Sequence, residues 1–141
     1  MILKNNYGKL ILIISIVILL LSLSAVCAES KSCCDFKNLQ KEVDNAADGS
    51  CVVLKDNYTS HGPTSVEIHK DLTINGKGNT IDGNNQTNLR MINIKDSNVN
   101  LENIVFKNIK SGFIQCSGNS HLSILNCTFM NGLQLKAVVL F

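Results

Sequence analysis

The stretch VNLENIVFKN at residues 99–108 decides the fold, because nearly the same pattern returns as LSILNCTFMN at residues 122–131. The two stretches are offset by 23 positions throughout. Apolar residues occupy the matched positions, and asparagines recur between them at Asn103 and Asn126. A fixed period of this length predicts one supersecondary unit that is stacked on copies of itself.

Short runs of strand-forming residues carry the same pattern to both sides of this pair. They recur in three classes: residues 52–54, 66–68, 91–94, 113–116 and 137–140 in the first, residues 72–74, 99–101 and 122–124 in the second, and residues 79–81, 104–106 and 127–129 in the third. Three strands for each repeat describe one coil of a solenoid. We therefore predict an all-β fold, a right-handed parallel β-helix of about 3–4 coils over residues 51–141.

The corners between strands are short enough to need a special backbone conformation. Only two residues separate Leu101 from Ile104, and the matched corner of the next repeat is equally tight. Asparagine tolerates a left-handed φ better than other non-glycine residues. We therefore place Asn103 and Asn126 at these corners and predict that their side-chain amides form a hydrogen-bonded ladder between coils. A β-sandwich, the alternative all-β fold, would not explain the constant register.

The first 28 residues have the organisation of a secretory signal peptide. Lys4 and Lys9 precede an uncharged run over residues 10–28, which ends in the small residues of Ala25-Val26-Cys27-Ala28. The alternative is an uncleaved membrane anchor formed by residues 10–28, at the short end of the ~17–25 residues that span a bilayer. Both interpretations place the remaining chain outside the cytoplasm, secreted or at the cell surface, and the second tethers it to the membrane.

Residues 29–50 are predicted to form a linker and an N-terminal helix that caps the first coil. Phe36, Leu39 and Val43 fall on one stripe of this helix, and Asp35 is placed to cap its first turn. At the other end, the chain stops at Phe141 inside a predicted strand. This predicts an uncapped C-terminal end, and hence either truncation of a longer protein or self-association through the open coil.

The cysteines suit an extracytoplasmic protein. One of the six lies in the leader, and the odd number that remains leaves at least one without an intramolecular partner. We predict a disulfide between Cys51 and either Cys33 or Cys34. The repeat aligns Cys116 and Cys127 with core positions, where they act as small buried hydrophobes. No metal or cofactor site is predicted, because adjacent cysteines lack the spacing of zinc ligands and the histidines are scattered.

The charge balance excludes a nucleic-acid partner. The leader carries two of the 13 basic residues and none of the 11 acidic ones, so the remaining chain is close to neutral. Arg90 is the only arginine, which excludes recognition of phosphate or carboxylate by an arginine cluster.

Three sequons begin at Asn57, Asn85 and Asn126. In an exported chain they are candidate glycan sites. We predict N-glycosylation at Asn57 and Asn85, which lie in or near loops. Asn126 belongs to the predicted ladder and is expected to stay unmodified.

The acidic residues past Ile68 are dispersed, and no pair of them is expected on neighbouring coils of one face. Asp82 is the best single candidate for a binding carboxylate, although a turn before Gly83 is the favoured interpretation. No catalytic motif is present in the sequence. We therefore predict no catalytic residue and no enzymatic activity.

Four segments carry a resemblance to a known group: FKNLQ at residues 36–40, AADG at residues 46–49, VVLKDNYT at residues 52–59 and LTINGKGNTIDG at residues 72–83. Together with the leader and the repeats, they resemble the N-terminal portion of the adhesin-like surface proteins of methanogenic archaea. The resemblance implies a parallel β-helix of the pectin lyase-like type.

The same resemblance implies a non-enzymatic protein at the cell surface, a structural stalk or a module that binds surface glycans or other cell-surface proteins. Two alternatives stay open. One is a truncated polysaccharide lyase or glycoside hydrolase-like β-helix, and the other is an inactive fragment of a longer adhesin.

Overall fold

The computed structural model describes residues 34–88 and 90–132, which contain one helix and eleven strands. The helix is α1 (Phe36–Asn45). The strands are β1 (Ser50–Val53), β2 (Tyr58–Thr59), β3 (Val66–Ile68), β4 (Leu72–Asn75), β5 (Thr80–Gln86), β6 (Ile92–Lys95), β7 (Asn98–Glu102), β8 (Val105–Ile109), β9 (Ile114–Ser117), β10 (His121–Leu125) and β11 (Thr128–Gly132). The predicted leader, the predicted strand at 137–140 and the predicted uncapped end lie outside the described residues.

The strands form three parallel sheets, in the orders β1-β4-β7-β10, β2-β5-β8-β11 and β3-β6-β9. The chain visits the three sheets in turn, and each strand pairs with its copy in the next coil. The result is a β-solenoid of about four turns. The prediction of an all-β parallel β-helix is confirmed.

The inward-facing side chains stack like on like along the solenoid, as the repeat predicts. In the first sheet, Leu72, Val99 and Leu122 stand in register, and so do the residues two positions later, Ile74, Leu101 and Ile124. In the second sheet, Ile81, Phe106 and Phe129 are aligned.

The aromatic end of this core is closely packed. The rings of Phe106 and Phe129 are stacked with their centroids 5.0 Å apart, and Phe113 meets both edge-on. Such pairs stabilise a core by about 0.5–1.5 kcal/mol beyond the burial of their area.

One class assignment from the sequence is wrong. The pattern groups residues 52–54 with residues 66–68, whereas β1 lies in the first sheet, with Val52 beside Ile74. β2 similarly begins the second sheet, with Tyr58 beside Ile81. The first coil is therefore complete, with one strand in each sheet. The error has a physical cause, because strands of two to four residues carry too few side chains to specify a register.

Helix α1 lies on the first coil, in contact with β2 and β3. Asp35 caps it by accepting a hydrogen bond of 2.8 Å from the Asn38 backbone N–H. Its apolar residues Phe36, Leu39 and Val43 are buried in the same core as the strands. A helix of ten residues is marginal alone, so this burial is what stabilises it.

Candidate functional site

The outer surface of the coils carries columns of polar side chains, of which the first runs through the tight corners after β4, β7 and β10. Asn103 and Asn126 have φ angles of 54° and 51°, the left-handed conformation that the sequence assigns to them. The Asn126 side-chain amide donates to the Asn103 Oδ1 at 2.7 Å, and the Asn103 amide donates to the Asn75 Oδ1 at 3.3 Å. Three successive coils are therefore linked at this corner by side-chain amides.

A second column, which sequence reasoning did not identify as a ladder, runs along the second sheet. Asn108 and Asn131 again have left-handed φ angles, 56° and 53°. The Asn131 amide donates to the Asn108 Oδ1 at 3.1 Å, and the Asn108 amide is 3.1 Å from both carboxylate oxygens of Asp82. The signal for it was present, since these two asparagines share the 23-residue offset of the first ladder.

Asp82, the sequence's best candidate for a binding carboxylate, is occupied by this second column. Its Oδ1 also accepts from the Asn84 backbone N–H at 2.8 Å, and the Lys107 Nζ lies 3.3 Å from its Oδ2. Four hydrogen-bonding contacts on a half-buried carboxylate leave little of it for a ligand. The geometry therefore assigns Asp82 to holding β5 and β8 in register.

A third column follows the corner that precedes the strands of the first sheet. The Asp71 backbone N–H donates to the Asp48 Oδ1 at 2.8 Å. One coil later, Asn98 donates to both oxygens of Asp71, from its backbone N–H at 2.7 Å and from its side chain at 2.9 Å. These two hydrogen bonds from Asn98 hold the pKa of the Asp71 carboxyl below its ordinary value of 3.8, and the side-chain bond contributes more than the backbone bond.

An acid outside the set past Ile68, Asp48, lies at this corner one coil before Asp71. Asp48 and Asp71 occupy successive turns of it, and the second is in direct hydrogen-bonding contact with the first. The two residues are 23 positions apart, whereas β1 and β4 pair with an offset of 22, as in Ser50 beside Leu72, so the two acids are not equivalent positions of the repeat.

Carbohydrate cleavage needs two neighbouring carboxyl groups, one of which stays protonated. Asp48 and Asp71 are neighbours, but Asp71 does not meet the second requirement. Glycoside hydrolases use two carboxyl groups, one of which stays protonated near neutral pH and acts as the acid. Asp71 is half-buried and has a lowered pKa, with its oxygens held by Asn98. It could serve as a base or a nucleophile, whereas the lowered pKa makes it unsuitable as the acid.

On the outward face of the first sheet, between the first and third columns, one row of side chains is polar and uncharged. Thr73, Asn100 and Ser123 stand side by side on β4, β7 and β10. The Asn100 amide donates to the Thr73 hydroxyl oxygen at 3.3 Å. Strands in neighbouring coils are about 4.8 Å apart, so the face presents a hydroxyl or an amide at that interval.

The predicted glycan sites occupy different environments. Asn57 is exposed, and its Oδ1 accepts from the Thr80 backbone N–H at 2.7 Å. Asn85 is exposed in a left-handed conformation at φ 58°. The Asn126 amide nitrogen, to which a glycan would be attached, is used in the first column. Glycosylation at Asn57 and Asn85 stays a prediction.

Of the cysteines in the predicted disulfide, Cys34 precedes α1 and Cys51 lies in β1. Cys51 is exposed in β1, and the Cys34 carbonyl accepts from the Thr59 backbone N–H at 2.9 Å. Cys33 lies outside the described residues, so its pairing with Cys51 stays a prediction. Cys116 and Cys127 are half-buried against the core, and burial raises the pKa of both thiols.

Within residues 34–88 and 90–132, no group of three or more metal-binding side chains comes together, and no helix has the length and apolar character to cross a membrane. Comparison of the chain with protein-family models, curated proteins and solved structures found no match. The fold assignment therefore rests on the strand pairing of the chain itself.

Proposed function

We propose that this chain is an extracytoplasmic, adhesin-like β-helix protein that works without catalysis, as a stalk at the cell surface whose outer face binds glycans. The observation that carries the proposal is the set of polar columns. The outward side chains of successive coils hydrogen-bond to one another, as in the contacts from Asn126 to Asn103 and from Asn98 to Asp71. Side chains in such columns stiffen the solenoid and present a fixed polar surface.

The uncharged row on the outward face of the first sheet is the region we assign to glycan contact. Hydroxyl and amide groups both donate and accept, as do the hydroxyl groups of sugars. Thr73, Asn100 and Ser123 repeat such groups at a constant interval along the solenoid. Each contact is weak, and a glycan lying along several coils gains affinity by making many of them at once.

Export supports the same function. The signal-peptide pattern of residues 1–28 directs the rest of the chain out of the cytoplasm, and the sequons at Asn57 and Asn85 suit a surface glycoprotein. The resemblance to adhesin-like surface proteins adds the expectation of contact with other cells or surfaces.

A carbohydrate-cleaving β-helix is the second candidate, and the Asp48–Asp71 pair is the observation that favours it. The use of both Asp71 oxygens by Asn98 weighs against it, because that contact makes the carboxylate part of the corner. The two candidates differ in turnover, since only the second releases new sugar ends.

Binding to an array of surface and wall polysaccharides, measured with the full chain, tests the proposal. The variant Asn100→Ala/Ser123→Ala removes two polar groups from the assigned face. It should weaken glycan binding at least fivefold. The matched control, Gln115→Ala, changes an exposed amide in the third sheet and should leave binding unchanged. Equal binding by all three proteins would contradict the assignment of this face.

A further inference from the structure

The outward side chains of the first sheet form three rows that run across the coils. Residues two positions apart in a strand face the same side, so the uncharged row has one row before it and another after it. The three rows are Asp71, Asn98 and His121, then the uncharged row of Thr73, Asn100 and Ser123, then Asn75, Glu102 and Leu125. The two flanking rows limit what the uncharged row can bind.

The uncharged row sets the distance between binding groups. Its three residues are paired one to one across β4, β7 and β10, which are neighbours in one parallel sheet. Neighbouring strands lie about 4.8 Å apart, so the row spans about 10 Å from its first residue to its third. Each sugar of a fully extended chain of β-linked hexoses advances by nearly the same interval. Such a chain can therefore place one sugar on each coil.

The side chains of the row also suit an extended chain. Successive sugars of such a chain are turned over relative to one another, so each offers different hydroxyl groups to the same face. Hydroxyl and amide groups both donate and accept, and can bond to either arrangement. The contact from the Asn100 amide to the Thr73 hydroxyl oxygen, at 3.3 Å, uses neither the Thr73 hydroxyl proton nor the Asn100 Oδ1. Both groups can therefore contact a sugar.

The flanking rows select the charge of the ligand. Asp71 brings a carboxylate to one of them and Glu102 to the other, and neither row contains a lysine or an arginine. Rows two residues apart along a strand are separated by about 6–7 Å, which is less than the screening length of ~10 Å at 0.1 M salt. A carboxylate or sulfate group on a bound sugar would therefore be repelled from both sides.

We propose that the uncharged row binds a neutral, fully extended, β-linked glycan, which lies along the solenoid axis with one sugar on each coil. The proposal rests on the proposed function and names its substrate class. A glycan that curves into a helix leaves the row after one or two sugars, and an acidic glycan meets the two flanking carboxylates. The row should therefore discriminate against both.

Cello-oligosaccharides of increasing length are the probe, because they are neutral, β-linked and extended. Malto-oligosaccharides contain the same sugar in a chain that curves, so they test the shape of the ligand. Cello-oligosaccharides oxidised to the glucuronate form keep the linkage and add one carboxylate to each sugar, so they test its charge. Binding of each series to the full wild-type chain is measured by isothermal titration calorimetry at low salt.

The affinity for cello-oligosaccharides should rise about threefold or more with each unit up to the third, and change less than about twofold beyond it. Three coils carry the row, and the position before Thr73 is Cys51, whose thiol is a weak hydrogen-bonding group. Maltotriose and the oxidised trimer should each bind about fivefold or more weakly than cellotriose.

Variants of the full chain test the assignment of the row. Ser123→Ala removes one end of the row and should move the plateau from three units to two. The matched control, Gln115→Ala in the third sheet, should keep the plateau at three. Glu102→Gln keeps a side-chain oxygen for the Asn75 amide, which lies 3.4 Å from the Glu102 Oε2. It should strengthen binding of the oxidised trimer about twofold or more and leave binding of cellotriose unchanged. Circular dichroism checks the fold of each variant.

Three results would each overturn the proposal: equal binding of cellotriose and maltotriose, no binding of any cello-oligosaccharide, or an unchanged plateau in Ser123→Ala. The proposed function fails separately from this substrate class. If the polysaccharide array still shows binding that is lost in Asn100→Ala/Ser123→Ala, the face binds glycans and only the substrate class is wrong.

Discussion

The side-chain amide of Asn126 donates a hydrogen bond of 2.7 Å to the side-chain oxygen of Asn103, its equivalent one coil earlier. Both residues also adopt the left-handed conformation that the corner requires. A single residue type therefore meets two demands at once, because asparagine tolerates a positive φ and carries a donor and an acceptor on a short side chain. This double role makes the corner sensitive to substitution in a graded way.

Asn103→Ala should destabilise the solenoid by about 2–3 kcal/mol, because alanine is strained at a left-handed φ and both ladder hydrogen bonds are lost. Asn103→Gly relieves the strain and should cost about 1 kcal/mol. Asn100→Ala, an exposed asparagine three positions earlier, should stay within about 0.5 kcal/mol of wild type. Urea unfolding measures all three variants. Equal stability of Asn103→Ala and Asn100→Ala would contradict the double role.

Gly76 stands where the backbone of one coil touches the next. A Cβ atom at this position would lie 2.5 Å from the Asn103 carbonyl oxygen and 2.6 Å from the Ile104 Cγ1. Gly76→Ala should therefore destabilise the fold by about 1–3 kcal/mol through overpacking. Gly62→Ala is the matched control, since a Cβ there meets nothing within 4 Å. Thermal unfolding should place Gly62→Ala at or slightly above the wild-type midpoint. A shared midpoint for both variants would show that the coils are not in close contact at Gly76.

The contact between Asp71 and Asn98 makes stability depend on pH. The pKa of Asp71 is lower in the folded chain than its ordinary value of 3.8, so its contribution is complete above that value and is lost as pH falls through the folded pKa. The melting temperature should therefore fall more steeply below about pH 4 in wild type than in Asn98→Ala. This variant lacks the side-chain donor whose hydrogen bond lowers the pKa of Asp71 most. Parallel melting curves at pH 6 and pH 3 for the two proteins would contradict this cause.

The sequence predicted those parts of the fold in which two complete coils have the same spacing. The offset of 23 positions predicts β7, β8, β10 and β11, their inward stacks and the left-handed corners at Asn103 and Asn126, whereas β9 pairs with β6 at an offset of 22. The earlier coils are less regular. The pairing of β5 with β8 shifts register between Asp82 and Gln86, so the period is not constant there.

The errors follow from this irregularity. β1 and β2 are short, and only their partners in space show to which sheet they belong. The sequence pattern therefore placed residues 52–54 in the wrong class. The closeness of Asp48 to Asp71 has no signal in the sequence, because the two acids are 23 positions apart whereas β1 pairs with β4 at an offset of 22. The hydrogen bonds between the Gln40 side chain and the Glu67 backbone have no sequence signal, since they depend on where the helix lies on the coil.

We propose that the polar columns stiffen the solenoid and that the uncharged row between them binds glycans, both without turnover. The most direct measurement incubates the full chain with each glycan that it binds and follows the release of reducing or unsaturated sugar ends. Asp48→Asn/Asp71→Asn, which removes both carboxylates of the acid pair, is the matched control. We predict no release above the buffer baseline by either protein, although wild type binds the glycan. Release by wild type that disappears in the double variant would contradict the account and identify the acid pair as catalytic.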